Sequence, residues 1–123
     1  MSRIVDDKVQ IEVNGIKYFA RFDMLAIAEA QYYFGARGKK YTVPQMFEEI
    51  QSENYFVICN LLIFCIKSCN PQKKMIDLFN ELKFANRGEI VEGLLTCINK
   101  SMPKNEGNEN EDDLPSEQTQ DEE

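Results

Sequence analysis

Residues 8–35 read KVQIEVNGIKYFARFDMLAIAEAQYYFG, and this stretch decides how the chain begins to fold. It opens with two runs of alternating apolar and polar residues, separated by Asn14-Gly15. Asn-Gly suits a type I′ turn, because both central residues of that turn need a positive φ. A two-residue turn also sets the register of the two strands. The sequence therefore predicts a β-hairpin that pairs Val13 with Ile16, Ile11 with Tyr18 and Val9 with Ala20.

Side chains alternate between the faces of a strand, so this register places all six of those residues on one apolar face. Glu12 then lies opposite Lys17 on the other face, as an opposite-charge pair. A lone hairpin is marginal in water, so its apolar face needs a cover. We expect that cover to be the helix that follows directly in the sequence.

The helix after the hairpin is predicted to begin at Asp23, a suitable N-cap, and to end at Gly35 as the C′ residue. Its apolar residues recur at helical spacing and form the face that we expect to be buried. These residues are Met24, Leu25, Ile27, Ala28 and Tyr32.

Charge divides the 123-residue chain into two parts. Residues 1–102 carry 13 basic and 12 acidic residues, whereas residues 103–123 carry nine acidic residues and one basic residue. Leu114 is the one large apolar residue after Pro103, and such a segment buries too little surface to order itself. We expect a single folded domain over 1–102 and a disordered acidic tail over 103–123.

The remaining apolar segments predict four more helices. A capping box at Thr42 and Gln45, with Pro44 in the first turn, begins one that ends near Ser52. Residues 54–70 are apolar on almost every side, which is typical of a central helix surrounded by the others.

Asn70-Pro71 stops the central helix and is predicted to begin a fourth, with an apolar stripe of Met75, Leu78, Phe79 and Leu82. Asn86 and Glu89 resemble a cap that opens a fifth helix, which Met102-Pro103 ends. The predicted fold is α+β and mostly α-helical, with an N-terminal two-stranded hairpin followed by about five helices around the central helix 54–70.

The sequence contains few of the residues and motifs that are typical of an active site. It has no histidine, no glycine-rich phosphate loop and no nucleophile elbow, and its adjacent carboxylates point apart on a helix. Cys97 lacks a nearby activating group in the sequence. We expect a protein that is not an enzyme and that has no cofactor and no metal site.

The start of the chain lacks the apolar core of a signal peptide, and its longest apolar run, 55–66, is too short to span a membrane. We therefore expect no membrane association and a cytoplasmic location. A reducing cytosol leaves cysteines as free thiols, the state expected for Cys59, Cys65, Cys69 and Cys97.

A protein-binding scaffold is the function that these exclusions favour. Methionine suits adaptable hydrophobic contacts, and the expected contact residues lie on the helices after Thr42: Met46, Phe47, Met75 and Phe79. The alternative is a small regulatory or nucleic-acid-associated protein. It would use the basic loop 37–41, whose Arg37, Lys39 and Lys40 alternate with aromatic residues that can stack on bases.

The order of elements resembles that of tail assembly chaperones of long-tailed bacteriophages and prophages. The similar stretch is Val9–Gly35, in which two strands joined by Asn-Gly lead into a helix; its anchors are Phe22, Asp23, Leu25, Ile27, Glu29 and Gly35. The capped helix Thr42–Ile50 is also similar. The cysteine-rich central helix departs from the family pattern.

The resemblance implies a function and its partners. A chaperone of this family binds the long tape-measure protein and keeps it soluble while tail-tube subunits assemble around it. The implied partner is the tape-measure protein, with the tail-tube protein as a second candidate, in the cytoplasm of the bacterial host.

Overall fold

The computed structural model describes residues 7–102 and confirms the α+β, mostly helical fold. A two-stranded antiparallel sheet is followed by five α-helices, and a short 3₁₀ turn, Phe84–Asn86, precedes the last of them. The elements are β1 Val9–Val13, β2 Ile16–Ala20, α1 Met24–Ala36, α2 Val43–Gln51, α3 Tyr55–Cys69, α4 Met75–Glu81 and α5 Arg87–Ser101. The acidic tail 103–123 lies outside the described residues.

The hairpin has the predicted register. Val13 pairs with Ile16, and every other predicted pair, including Glu12 with Lys17, is present. Asn14 and Gly15 have φ values of 56° and 75°, as a type I′ turn requires. The predicted apolar face is the buried face of both strands.

The hairpin does not rest mainly on α1, which corrects our expectation. β1 packs on α5, and β2 packs on α3. Gly93 in α5 allows this approach, because a Cβ atom there would lie only 3.2 Å from Cδ1 of Ile11. The edge of β2 is also joined to α3 by a hydrogen bond from Arg21 N–H to the carbonyl of Cys65, at 3.0 Å.

Polar contacts hold the tip and the centre of the hairpin. The Asn14 N–H donates to a carboxylate oxygen of Glu89 at 2.9 Å, and the Asn14 side-chain amide donates to the carbonyl of Glu81 at 3.4 Å. The hydroxyl of buried Tyr18 donates to the carboxylate of Glu81. The turn is thereby joined to α5 and to the end of α4.

Helix α3 is the centre of the domain, as predicted. Asn54 and Asn70 cap its two ends, and it packs against β2 and all four other helices. Asn60 is the buried polar residue of α3; its amide donates to the carbonyl of Phe56 at 2.6 Å, while its own oxygen has no partner within residues 7–102. The other buried residues of α3 are Val57, Ile58, Leu61, Leu62, Ile63, Phe64, Cys65 and Ile66.

Helix α1 buries a different face from the predicted one. Asp23 is the N-cap as expected, with its carboxylate accepting from the Ala26 N–H at 3.0 Å. The buried residues are Ala26, Ala30 and Phe34, spaced by four, so the close-packed side is formed largely by alanines. Of the residues expected to be buried, Ile27 is half-buried, while Met24, Leu25, Ala28 and Tyr32 are exposed.

The end of α1 also differs from the prediction. Gly35 is helical, and the helix continues to Ala36. Gly38, with a φ of +81°, is the residue that takes the left-handed conformation after the helix. Its N–H donates to the carbonyl of Gly35 at 3.0 Å, which satisfies part of the helix end.

The later helix boundaries agree with the sequence in part. The Thr42–Gln45 capping box of α2 is present in both directions. Helix α4 begins at Met75 and not at Pro71, because Pro71–Lys74 form a turn after α3. Asn86 stands at the start of α5 without capping it, since its side chain donates instead to Glu89 at 3.2 Å.

We expect Gly35→Ala and Gly38→Ala to change stability in opposite directions. Alanine at Gly35 meets no atom within 4 Å and should stabilise the helix by about 0.5–1 kcal/mol. Alanine at Gly38 must adopt a positive φ and should destabilise the fold by about 1–2 kcal/mol. Urea unfolding of both variants tests this, and a loss of stability in Gly35→Ala would contradict the helical assignment of that residue.

Tyr18→Phe should alter the alkaline stability of the fold. Burial, followed by the hydrogen bond to Glu81, raises the pKa of Tyr18 well above its ordinary value of 10.0. A raised pKa in the folded state gives a stabilisation that is complete below pH 10 and declines as the pH rises above it. The variant should be about 1–2 kcal/mol less stable at pH 7. The difference from wild type should shrink above pH 10; unfolding curves at pH 7 to 11 measure it, and a constant difference would refute the argument.

Candidate functional site

The outward side of α1 is an unpartnered apolar surface. Met24 is 75% exposed, Leu25 53% and Tyr32 81%, and Ala28 lies exposed between them. These side chains are available because α1 meets α3 with its alanine side, where short side chains let the two helices approach closely. Contiguous exposed apolar side chains mark binding sites more often than isolated ones do. We call Met24, Leu25, Ala28 and Tyr32 the α1 face.

An apolar groove adjoins the α1 face, between α1, α3 and the first residue of α4. It has a volume of about 410 Å³. Three charged residues, Glu29, Arg37 and Lys67, also border it. The apolar lining consists of Ala28, Tyr32, Tyr33, Ala36, Phe64 and Met75.

Aromatic packing holds the floor of this groove in place. The ring of Tyr33 lies 5.9 Å from that of Phe34 and 5.6 Å from that of Phe64, both edge-to-face. Phe56 lies 5.4 Å from Phe34 and 6.3 Å from Tyr33. Such a cluster is rigid, so a ligand would meet a preformed surface.

The two helices that form the groove run antiparallel, which sets its orientation. Near the start of α1, the carboxylate of Asp23 accepts from the hydroxyl of Ser68, at the end of α3, at 2.8 Å. Near the end of α1, Phe34 contacts Phe56 at the start of α3. Lys67 is therefore closer to the start of α1, and Arg37 lies at the opposite end of the groove.

Both cations of the groove are held without a carboxylate partner. The Arg37 guanidinium lies 3.6 Å from the centre of the Tyr33 ring and donates to the Tyr33 carbonyl at 3.1 Å. Lys67 Nζ donates to the carbonyls of Pro71 and Lys73, at 3.3 and 2.5 Å. Neither cation forms an ion pair with an acidic residue in the part of the chain from 7 to 102. Their charges remain available to an acidic ligand.

The four expected contact residues do not form one exposed surface. Met75 lines the groove, as described above. Met46 is fully buried in the core, and Phe47 is half-buried with its ring 6.3 Å from that of Phe22. Phe79 is also half-buried and packs on the core. Met46 thus has a packing role, and exposed apolar side chains lie both before Thr42, on α1, and after it, as at Ile76 and Phe84.

Sequence reasoning missed the α1 face because α1 is apolar on nearly every side. Two stripes with helical spacing compete in such a sequence, one of large residues and one of small residues. Burial of the larger stripe is the usual expectation, whereas here the small stripe is buried. The spacing of Ala26, Ala30 and Phe34 was the available signal.

The basic loop 37–41 offers few surfaces for stacking on bases. Lys39 and Lys40 are exposed, and of the nearby aromatic residues Phe34 is buried, Tyr33 and Tyr41 are half-buried and Tyr32 is exposed. Tyr41 lies edge-to-face on Phe34, with ring centres 5.4 Å apart, and the Arg37 guanidinium covers Tyr33. Tyr32 is an exposed aromatic residue that lines the same groove as Arg37, so one base-sized surface lies beside one of the three cations.

All four cysteines are free thiols. Cys65 and Cys97 are buried next to each other, and their mutual hydrogen bond, together with burial, raises the pKa of the Cys65 thiol. Burial also raises the pKa of Cys59. A raised pKa makes a thiol a poorer nucleophile at neutral pH. Cys97 differs, because its hydrogen bond with Cys65 lowers the pKa of its thiol, so the expectation that no neighbouring group acts on Cys97 is wrong.

Within residues 7–102, no cluster of three or more potential ligand side chains is arranged to hold a metal ion. In the same range, no helix has the length and apolar character needed to cross a membrane. The chain matches no protein-family model, no curated protein and no solved structure.

Substitutions on the exposed side of α1 and in the core should have very different effects on stability. We expect Tyr32→Ala to change the free energy of unfolding by less than about 0.5 kcal/mol, because the Tyr32 side chain is 81% exposed. Phe34→Ala and Met46→Ala should each destabilise by about 2–5 kcal/mol, because each leaves a cavity in the core. Urea unfolding of the three variants checks this, and a large loss in Tyr32→Ala would show that the α1 face is structural.

Proposed function

We propose that this protein is a non-catalytic assembly chaperone that holds an apolar helical segment of a partner protein on the α1 face and in the adjoining groove. The observation that carries the proposal is the set of large apolar side chains that α1 presents outward beside a preformed groove. The core of this domain is complete without the large apolar side chains on the outer side of α1, so their exposure has no structural purpose.

The geometry fits the helix-in-groove mode of recognition. An amphipathic helix lays residues at spacings of three and four into an apolar groove, and α1 with α3 supplies a cleft of that form. Met75 in the groove and Met24 on the α1 face add flexible contacts, which suit partners of variable sequence. Arg37 and Lys67 would favour a segment with acidic residues beside its apolar ones.

The resemblance to phage tail assembly chaperones supports this proposal and names the partner class. The α1 face is part of the stretch Val9–Gly35 in which the resemblance lies, and Leu25 belongs to both. The proposed client is the tape-measure protein, with the tail-tube protein as a second candidate, in the host cytoplasm. A long helical client that exposes apolar surface before assembly is prone to aggregation, and covering that surface keeps it soluble.

Co-expression with the tape-measure protein of the same genome tests this function. We expect the wild-type chain to raise the soluble fraction of the client and to co-purify with it. The double variant Met24→Ser/Tyr32→Ser should bind at least ~10-fold more weakly, because two buried apolar contacts are lost. Phe84→Ser is the matched control, since Phe84 is 74% exposed but lies outside the groove.

Two outcomes would reject the proposal. One is a client that is no more soluble with the wild-type chain than without it. The other is a client that binds the double variant and the Phe84→Ser control equally well, which would remove the α1 face from the interaction.

A further inference from the structure

The described part of the chain ends beside the start of α1. Ser101 and Met102, at the end of α5, line an apolar cavity of about 440 Å³ together with Met24 and Ile27 of α1. Met102, the last described residue, therefore lies near Met24, the first residue of the α1 face. Any segment shortly after Met102 has direct access to this face.

The charge and composition of residues 103–123 complement the groove. The segment carries nine acidic residues and one lysine, while residues 7–102 carry 12 basic and 11 acidic residues. Leu114 follows Asp112 and Asp113 and precedes Glu117. An apolar side chain with acidic neighbours matches an apolar groove that has cations without carboxylate partners at both ends. Glu29 is the acidic residue of the groove lining and opposes this attraction in part.

The distances allow Leu114 to reach the groove. Eleven residues lie between Met102 and Leu114, and the twelve Cα–Cα steps that join these two residues can span up to about 40 Å when extended. Helix α1 has 13 residues and is therefore about 20 Å long. The chain can cross the α1 face and enter the groove without being fully extended.

We infer that residues 103–123 dock on their own domain, with Leu114 in the groove between α1 and α3 and its acidic neighbours close to Arg37 and Lys67. A tethered segment meets its site at an effective concentration of about 1 mM, so even a weak contact is well populated. The docked segment covers the apolar surface when no client is present. A client must displace it, and this last consequence rests on the proposed function, whereas the docking does not.

Methyl NMR of the full chain, labelled with ¹³C at the methionine methyl groups, tests the docking directly. Met75 lies in the groove and Met24 on the α1 face, whereas buried Met46 reports on the integrity of the fold. We expect Leu114→Ser to shift the Met75 and Met24 signals and to leave the Met46 signal in place. Gln118→Ser, which keeps Leu114 and every charge, is the matched control and should shift none of the three.

Salt and concentration distinguish the possible occupants. Raising NaCl from 50 to 500 mM should move the wild-type Met75 signal toward its position in Leu114→Ser, because salt screens the acidic contacts. The wild-type spectrum should not depend on protein concentration. A concentration-dependent Met75 signal would instead identify a second copy of the chain as the occupant, and an identical Met75 signal in wild type and Leu114→Ser would rule out docking of the tail.

The experiments can reject the docking of residues 103–123 and the chaperone function independently of each other. If the tail docks and the client stays insoluble, the self-docking stands and the chaperone function is lost. If the client is solubilised and Leu114→Ser leaves Met75 and Met24 unmoved, the chaperone function stands without a docked tail. Where both hold, Leu114→Ser should recover more client than wild type in the co-expression experiment.

Discussion

The burial of α3 is the constraint on which the rest of the fold depends. A helix that is apolar on every side is stable in water only when other elements surround it, and five elements do so here. The hairpin covers one part of α3 through β2, and α5 supports the other strand. Helices α1, α2 and α4 each pack one side against α3, and the opposite side of each helix faces away from α3.

The way α1 meets α3 connects this packing with function. Ala26 and Ala30 place the backbones of the two helices close together, and Phe34 is the large residue of α1 that is fully buried on that side. The other large residues of α1 are not fully buried there. These residues lie on the outer side of α1 or at its edge. Tyr33 is at the edge, where it forms the floor of the groove together with Phe64 of α3. The exposed apolar surface thus results directly from the close packing of α1 on α3, and this packing is enough to hold the surface in place.

The same arrangement explains why the groove carries positive charge. Lys67 is placed near the C-terminal end of α3, where its ammonium group donates to carbonyls of the following turn. Arg37 closes the end of α1 over an aromatic ring. Both cations thereby serve local structure, and neither forms an ion pair with an acidic residue between positions 7 and 102, although Glu29 also borders the groove.

The sequence by itself determined the local elements of this protein. Asn14-Gly15 dictates the hairpin register, the Thr42 capping box begins α2, and the length of the apolar run 55–66 makes α3 the central helix, because each of these signals acts over a few neighbouring residues. Tertiary structure alone decided which side of α1 is buried, that the hairpin rests on α3 and α5, and that Met46 belongs to the core. These outcomes depend on which surfaces fit together at close distance, as Gly93 with Ile11 and the alanines of α1 with α3 do. The apolar residues of α1 allow two helical stripes, and only the shape of α3 selects between them.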